Sequence, residues 1–270
     1  MSVEIIQSTI LGIVQGLGEF LPISSTAHLI LVPFFTGWED PGLAFDVALH
    51  FGTLIAVLAY FWRDWITILK LMFQNEVQSS KFKVQSYNKK TLWLIVIATI
   101  PGALAGYFLE EQAGTIFRNP LVIAFTLSFV GLLLYLADKY MKHRKNINQL
   151  SLADVIIIGL SQAAAIVPGV SRAGATITAG LVQGLDRISA ARFSFLLSTP
   201  MILGATINQI PDLLIRGVNS QIIIGIFFSA LSGYLAIKYL LKFIETVSYK
   251  VFFWYRLALA VIIVFVVYMV

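Results

Sequence analysis

Residues 12–28 read GIVQGLGEFLPISSTAH and residues 159–176 read GLSQAAAIVPGVSRAGAT. Each stretch opens on a glycine, carries a glutamine three positions later (Gln15, Gln162), and then meets a proline (Pro22, Pro168) and a Ser-containing run that starts a new apolar segment. They lie about half a chain apart. Paired hydrophobic segments interrupted by Gly and Pro, at corresponding places in two halves, point to a binding site between inverted membrane repeats. The chain around them is 58% hydrophobic and 12% charged over 270 residues, with a mean hydropathy of +0.85. A soluble domain carries roughly a quarter charged residues, so lipid is the main solvent here and the chain reads as a polytopic all-α membrane protein.

Six spans of about 17–20 residues are legible: 43–62, 91–109, 119–137, 188–207, 221–238 and 251–270. The basic residues Arg63, Lys70, Lys81, Lys83, Lys89 and Lys90 follow the first span; Lys139, Lys142, Arg144 and Lys145 follow the third; Lys238, Lys242 and Lys250 follow the fifth. The intervening loops hold Glu39 and Asp40, then Glu110, Glu111 and Arg118, then Asp212 and Arg216. The positive-inside rule makes the first set cytoplasmic and the second external. With 138–150 inside and 188–207 running outward, 152–185 must leave and return on the cytoplasmic side, as a re-entrant hairpin. Its counterpart 3–36 then enters from outside, and both chain ends are external. The spans pair as 43–62 with 188–207, 91–109 with 221–238, and 119–137 with 251–270, each pair antiparallel. The expectation is one membrane domain over 1–270, with inverted repeats over about 1–145 and 150–270 and two re-entrant helical hairpins meeting near the midplane, where irregular backbone needs protein or a water-filled cavity around it.

Net charge is +5 and the pI near 9.4. Basic loops touching anionic headgroups account for this, and no basic stripe with interleaved aromatics points to nucleic acid. Cysteine is absent, so disulfides play no part. The N-terminus has no basic region before its apolar stretch and reads as no removable signal peptide. Trp38, Trp62, Trp65 and Trp254 fall near span ends, as an interfacial belt does.

Gln15 and Glu19 are four apart and share one helix face. A carboxylate at lipid depth faces a cavity or a partner. After Pro22 come Ser24, Ser25, Thr26 and His28; Ser24 suits the N-cap of the next half-helix, and a hydroxyl beside a histidine and a carboxylate has the makings of an activated nucleophile. In the second stretch Pro168 and Gly169 break the helix, and Ser171, Arg172 and Thr176 open the next. An arginine there needs an anion, and guanidinium matches phosphate or carboxylate bidentately; a helix N-terminus also favours an anion. Arg172 thus reads either as a phosphate ligand or as a salt-bridge partner of Glu19 or Asp186. Asp46 and His50, also four apart, either line the cavity or pair with each other, and the pairing is the preferred reading. Arg187 and Arg192 read as snorkelling to headgroups.

These residues resemble the undecaprenyl-diphosphate phosphatase family, also called bacitracin-resistance proteins: integral membrane enzymes that recycle the lipid carrier of bacterial cell-wall peptidoglycan. The family's first motif, Glu or Gln then Glu four residues on, is matched by Gln15 and Glu19 before FLPISSTAH; its second, PGxSRSxxT, is matched by PGVSRAGAT at 168–176. The likeness continues through FDVALHFGT (45–53) and RFSFLLSTP (192–200). It implies a catalytic hydroxyl at Ser25, acid/base or metal-binding work by Glu19 with Gln15, proton transfer by His28, and phosphate binding by Arg172 with Ser171 and Thr176, with Ser24, Thr26 and Gly169 as further substrate contacts. It implies a divalent cation, Mg²⁺ or Ca²⁺, a polyprenyl diphosphate substrate, and a multi-pass protein of the bacterial plasma membrane with its pocket open to the outside. Ala173 departs from the motif, which has serine there. The alternative function is a transporter or flippase of a polyprenyl phosphate or other anion, since inverted repeats with broken helices are also transporter architecture. Oligomeric state, a homodimer included, is left open by the sequence.

Overall fold

The computed structural model describes residues 3–73, 87–142, 144–217 and 219–269; Lys81 and Lys83 lie outside them. Among the described residues ten α-helices run in chain order: α1 (Val3–Phe20), α2 (Ser25–Thr36), α3 (Leu43–Phe73), α4 (Thr91–Gly114), α5 (Pro120–Tyr140), α6 (Leu152–Ala164), α7 (Arg172–Val182), α8 (Arg187–Arg216), α9 (Ser220–Phe243) and α10 (Lys250–Met269). Six of these, α3, α4, α5, α8, α9 and α10, contain segments long and apolar enough to cross a membrane, and each coincides with a span legible in the sequence. No β-strand occurs among the described residues. Four elements outgrow their expected bounds by five residues or more, α4 reaching Gly114 and α8 reaching Arg216. α3 continues through Arg63 and Lys70 to Phe73, bending at Phe61, and α9 reaches Phe243, so both "loops" begin as helix. A span ends at the membrane surface, but hydrogen-bonded helix need not.

The polar stretches are the two places where short helices meet. α1 stops at Phe20 and α2 starts at Ser25; α6 stops at Ala164 and α7 starts at Arg172. Pro22 and Pro168 lack the N–H a continuous helix requires. At 12, 13 and 11 residues, α2, α6 and α7 are each shorter than the ~20 residues a full crossing takes.

α1 packs along α9, α6 along α4, α3 against α8, and α5 against α10. Small residues make the first seam close: a Cβ on Gly12 would sit 2.5 Å from the Gly225 carbonyl oxygen, and Ser229 and Ser232 face Gly16 across it. Without a hydrophobic drive between helices in lipid, such close backbone approach is what holds them together. Exchanging α1–α5 for α6–α10 carries the α1–α9 contact onto α6–α4 and leaves α3–α8 and α5–α10 in place. Phe20, Phe61 and Phe195 join the first hairpin to α3 and α8, the Phe20 and Phe195 rings meeting edge to face at 5.3 Å.

Arg187 and Arg192 do not reach for headgroups. Arg187 forms a two-point pair with Asp138, at 2.5 and 3.0 Å. Arg192 pairs with Asp64, which also accepts from the Tyr87 hydroxyl. Burial, with Asp64 alongside, pushes the Tyr87 hydroxyl well above its ordinary pKa. Carboxylates on α5 and α3 stand within reach of the start of α8, and partly buried arginines take them in preference to lipid phosphate.

Candidate active site

The two helix breaks face one another. Gly18 lets α2 begin against α1: a Cβ there would meet the Ser25 Cα at 2.8 Å. Ser25, the first residue of α2, therefore points its hydroxyl back at Glu19 near the end of α1, donating from Oγ to Oε2 at 2.9 Å. Gln15, one turn earlier on the same face, donates from Nε2 to the same oxygen at 3.0 Å. The other carboxylate oxygen, Oε1, faces Arg172 Nη2 of α7 at 3.3 Å. The salt bridge anticipated as the alternative role of Arg172 is thus present, and it brings the two stretches together.

It does not use up the guanidinium. Arg172 Nη1 is buried and has no hydrogen-bond partner among the described residues. An unpartnered buried donor costs on the order of 1–3 kcal/mol, a cost relieved when an anion occupies the adjoining space. That space exists: a cavity of about 40 Å³ lined by Gly18, Glu19, Ser24, Ser25, Thr26, Ala165, Val167, Ser171 and Arg172. At roughly 10–15 Å³ per water it holds about three waters, room suited to a phosphoryl group and not to a lipid.

Both half-helices open on a serine with positive φ, Ser24 at 76° and Ser171 at 69°. Non-glycine residues reach this region at an energetic cost and concentrate at functional sites when they do. Each serine caps its own helix, Ser24 Oγ accepting from the Ala27 amide and Ser171 Oγ from the Gly174 amide. Ser24 Oγ also accepts the Gly169 N–H at 3.1 Å, a bond between the two breaks. Gly169 has φ 91°, and a Cβ there would strike Thr126 and the Ile123 carbonyl; it builds the turn and does not line the cavity. Thr176 faces away, donating to the Arg172 carbonyl at 2.8 Å and sharing a 2.6 Å hydrogen bond with Ser194 of α8. Ala173, the motif's missing serine, is buried in the main apolar core, so a hydroxyl there would not lie in the cavity lining.

The histidines exchange expected places. His28 lies beyond Ser25: its Nδ1 donates to the Ser24 carbonyl at 2.7 Å, its Nε2 accepts from the Tyr255 hydroxyl at 2.7 Å, and its ring stacks on Tyr255. Both nitrogens are engaged away from Glu19. His50 of α3 instead places Nε2 3.4 Å from Glu19 Oε2. Its Nδ1 donates to the Asp46 carbonyl, not the carboxylate, at 2.7 Å. The preferred pairing of Asp46 with His50 is therefore corrected to a backbone bond that turns His50 toward the site. Sequence reasoning passed over Arg256 of α10, although an arginine within an apolar span is itself a signal.

For a divalent cation the described residues of this site offer the Glu19 carboxylate and the Gln15 amide oxygen. Among the described residues no group of three or more His, Asp or Glu side chains could hold a metal. Gln15 Oε1 is buried without a partner among the described residues, next to Glu19. Hard oxygen donors of this kind fit Mg²⁺ or Ca²⁺, and Mg²⁺ in particular is commonly held by one or two carboxylates with the rest of its shell from substrate phosphate and water.

Fold and site define a class: a polytopic helical membrane protein with a buried hydroxyl–carboxylate pair set against a guanidinium around an anion-sized space. The family described as bacitracin resistance protein BacA matches residues 8–262, and the chain belongs to it. It is 50% identical over 260 residues to a protein of Moorella thermoacetica named undecaprenyl-diphosphatase, covering 96% of this chain and 97% of that one. Proteins of the same name from Pelotomaculum thermopropionicum and Desulforudis audaxviator are 49% and 46% identical, each alignment covering 96% of both chains.

Proposed function

We propose that the protein hydrolyses undecaprenyl diphosphate to undecaprenyl phosphate and inorganic phosphate, returning the lipid carrier to peptidoglycan synthesis and so conferring bacitracin resistance. The observation that carries this reading is the Ser25–Glu19 hydrogen bond across a small cavity from the unpartnered Arg172 nitrogen. A nucleophile hydrogen-bonded to its base, opposite a cationic donor, is the arrangement phosphoryl transfer requires. Transport of an anion needs the guanidinium but not the serine–carboxylate pair.

In this reading Glu19 Oε2 takes the Ser25 proton as Oγ attacks the terminal phosphorus. The bond from that phosphorus to the bridging oxygen breaks, and undecaprenyl phosphate leaves with the electron pair and takes the proton from Glu19. Arg172 meets the charge on the non-bridging oxygens, where most of the rate enhancement of such reactions arises. Glu19, ionised again, then takes a proton from water as that water attacks the seryl phosphorus; the bond to Ser25 Oγ breaks, and Oγ recovers the proton from Glu19 as inorganic phosphate leaves. His50 holds Glu19 in place from behind, a role the geometry favours over proton transfer by His28. Ser171 and Thr26 line the phosphate space. Gln15 and Glu19 are the residues that would hold a divalent cation, which when bound supplies further positive charge to the diphosphate.

The same reading keeps one domain with inverted repeats over about 1–145 and 150–270, and takes α1–α2 and α6–α7 as re-entrant hairpins of the bacterial plasma membrane with the site open to the external side. Loop charge and the exchangeable helix contacts support it. The residues this reading uses all come from one chain, so it does not call for a homodimer.

The test is phosphate release from undecaprenyl diphosphate by purified protein in detergent, with and without Mg²⁺ or Ca²⁺, beside Glu19→Ala and Arg172→Ala. Metal-dependent release lost in both variants supports the reading. Folded, lipid-binding protein that releases no phosphate would overturn it in favour of transport.

A further inference from the structure

Arg256 sits in α10 with none of its surface exposed. No carboxylate pairs with it among the described residues. Its guanidinium is instead ringed by backbone carbonyls: Nε donates to Leu127 at 2.8 Å, Nη1 to Pro22 at 3.0 Å, and Nη2 to Gly169 at 2.6 Å, Val170 at 3.2 Å and Thr126 at 3.3 Å. Three of these carbonyls belong to the helix breaks, one to the first and two to the second. A cation buried at lipid depth without a counter-ion is costly, and apolar packing of α10 against α5 would not call for one. What it gains is a rigid planar fork that reaches several acceptors at once.

We propose that Arg256 is a positioning residue for the phosphoryl site. By drawing the carbonyls of Pro22, Gly169 and Val170 to one point it fixes the two breaks relative to each other, and with them Ser25 relative to Arg172. The peptide units explain how. All are trans, so each carbonyl points opposite to the N–H that follows it. The Ser171 N–H, joined to the Val170 carbonyl, is turned away from the guanidinium, and Ser171 is a residue that lines the cavity. Besides Arg256, the breaks are linked by the Ser24–Gly169 bond and the Glu19–Arg172 ion pair, and an anion bound at Arg172 competes for the second of these. The catalytic part of this inference rests on the phosphatase reading; the clamp itself does not.

Gly131 of α5 offers a perturbation that leaves Arg256 in place. A Cβ there would lie 3.3 Å from both Cδ and Nε of Arg256, so the side chain must shift by a few tenths of an ångström. Replacing a helix-interior glycine by alanine otherwise favours the helix.

Two measurements test the clamp. In detergent, Arg256→Lys is expected to lower kcat about 10–100-fold with KM within about threefold, and Gly131→Ala to lower kcat several-fold without lowering the melting temperature, since ångström-scale misplacement of reacting groups costs up to about 10²-fold. Hydrogen exchange should quicken in segments 20–26 and 166–172 together in Arg256→Lys, with α8 and α9 protected as before. Folded Arg256→Lys with wild-type kcat, or loosening confined to one segment, would overturn the proposal. Should Arg256→Lys fail to fold, Gly131→Ala decides, and an unchanged kcat there rejects the clamp. Wild-type protein that releases no phosphate would count against the phosphatase reading, while the exchange experiment would still test the clamp.

Discussion

The two helix breaks are built alike and equipped differently. Each has a proline, a serine N-cap at positive φ and a short helix leaving it, Ser24 into α2 and Ser171 into α7. At the next position the first break has Ser25 and the second Arg172. The glutamines diverge too: Gln15 bonds to Glu19 inside the site, whereas the side chain of Gln162 bonds to the Ala98 carbonyl of α4. One break thus carries the hydroxyl–carboxylate pair proposed as nucleophile and base, the other the guanidinium proposed to hold the anion. Two copies of one backbone device can support an asymmetric reaction because the device supplies position and strain while single side chains supply chemistry.

The largest expected effect comes from removing the hydroxyl that distinguishes the first break. Ser25→Ala should lower phosphate release by about 10³-fold or more while substrate binding stays within a few-fold; labelled phosphate trapped on the wild-type chain after an acid quench should be missing from the variant. Substantial turnover by Ser25→Ala would place the nucleophile elsewhere. Next is the residue that distinguishes the second break. Arg172→Lys keeps the charge but loses the planar fork, and should cost about 10²-fold in kcat/KM. Because Arg172 and Glu19 touch, a double-variant cycle with Glu19→Gln should be clearly non-additive; additive losses would mean the breaks act independently.

The histidines give a smaller and sharper contrast. His50→Ala should lower kcat by about tenfold by freeing Glu19, and His28→Ala by no more than a few-fold, since its bonds run to Ser24 and Tyr255. Steady-state kinetics that reverse this order would return the proton-transfer role to His28. Smallest of all is Ala173→Ser. Restoring the motif's serine should change kcat/KM less than about twofold and slightly lower the melting temperature, because a hydroxyl in the apolar core needs a partner it lacks.

Several features were legible without coordinates because they follow from local chemistry. Lipid-length apolar runs fix the six spans, proline fixes the breaks, and the i, i+4 spacing of Gln15 and Glu19 fixes their shared face. Ser24 reads as an N-cap because short polar side chains satisfy free amides there. Three features were not legible. Thr176 shares the motif with Arg172, yet its hydroxyl turns to the Arg172 carbonyl and to Ser194, since the rotation of α7 about its axis depends on its packing against α8. His50 lies 31 positions beyond Glu19 and meets it only because α3 runs alongside α1. Arg256 is separated from Pro22 by 234 positions and from Gly169 by 87.

The sequence by itself determined the membrane class, the spans, the two interruptions and the residue types able to carry phosphoryl chemistry, because solvent matching, helix periodicity and the missing proline N–H act over a few residues. Only the tertiary structure decided which of those residues share a cavity, which histidine stands behind Glu19, and that a buried arginine ties the interruptions together. These depend on how helices distant in the chain pack, through close approach of small residues and hydrogen bonds to free carbonyls, which spacing along the chain does not encode.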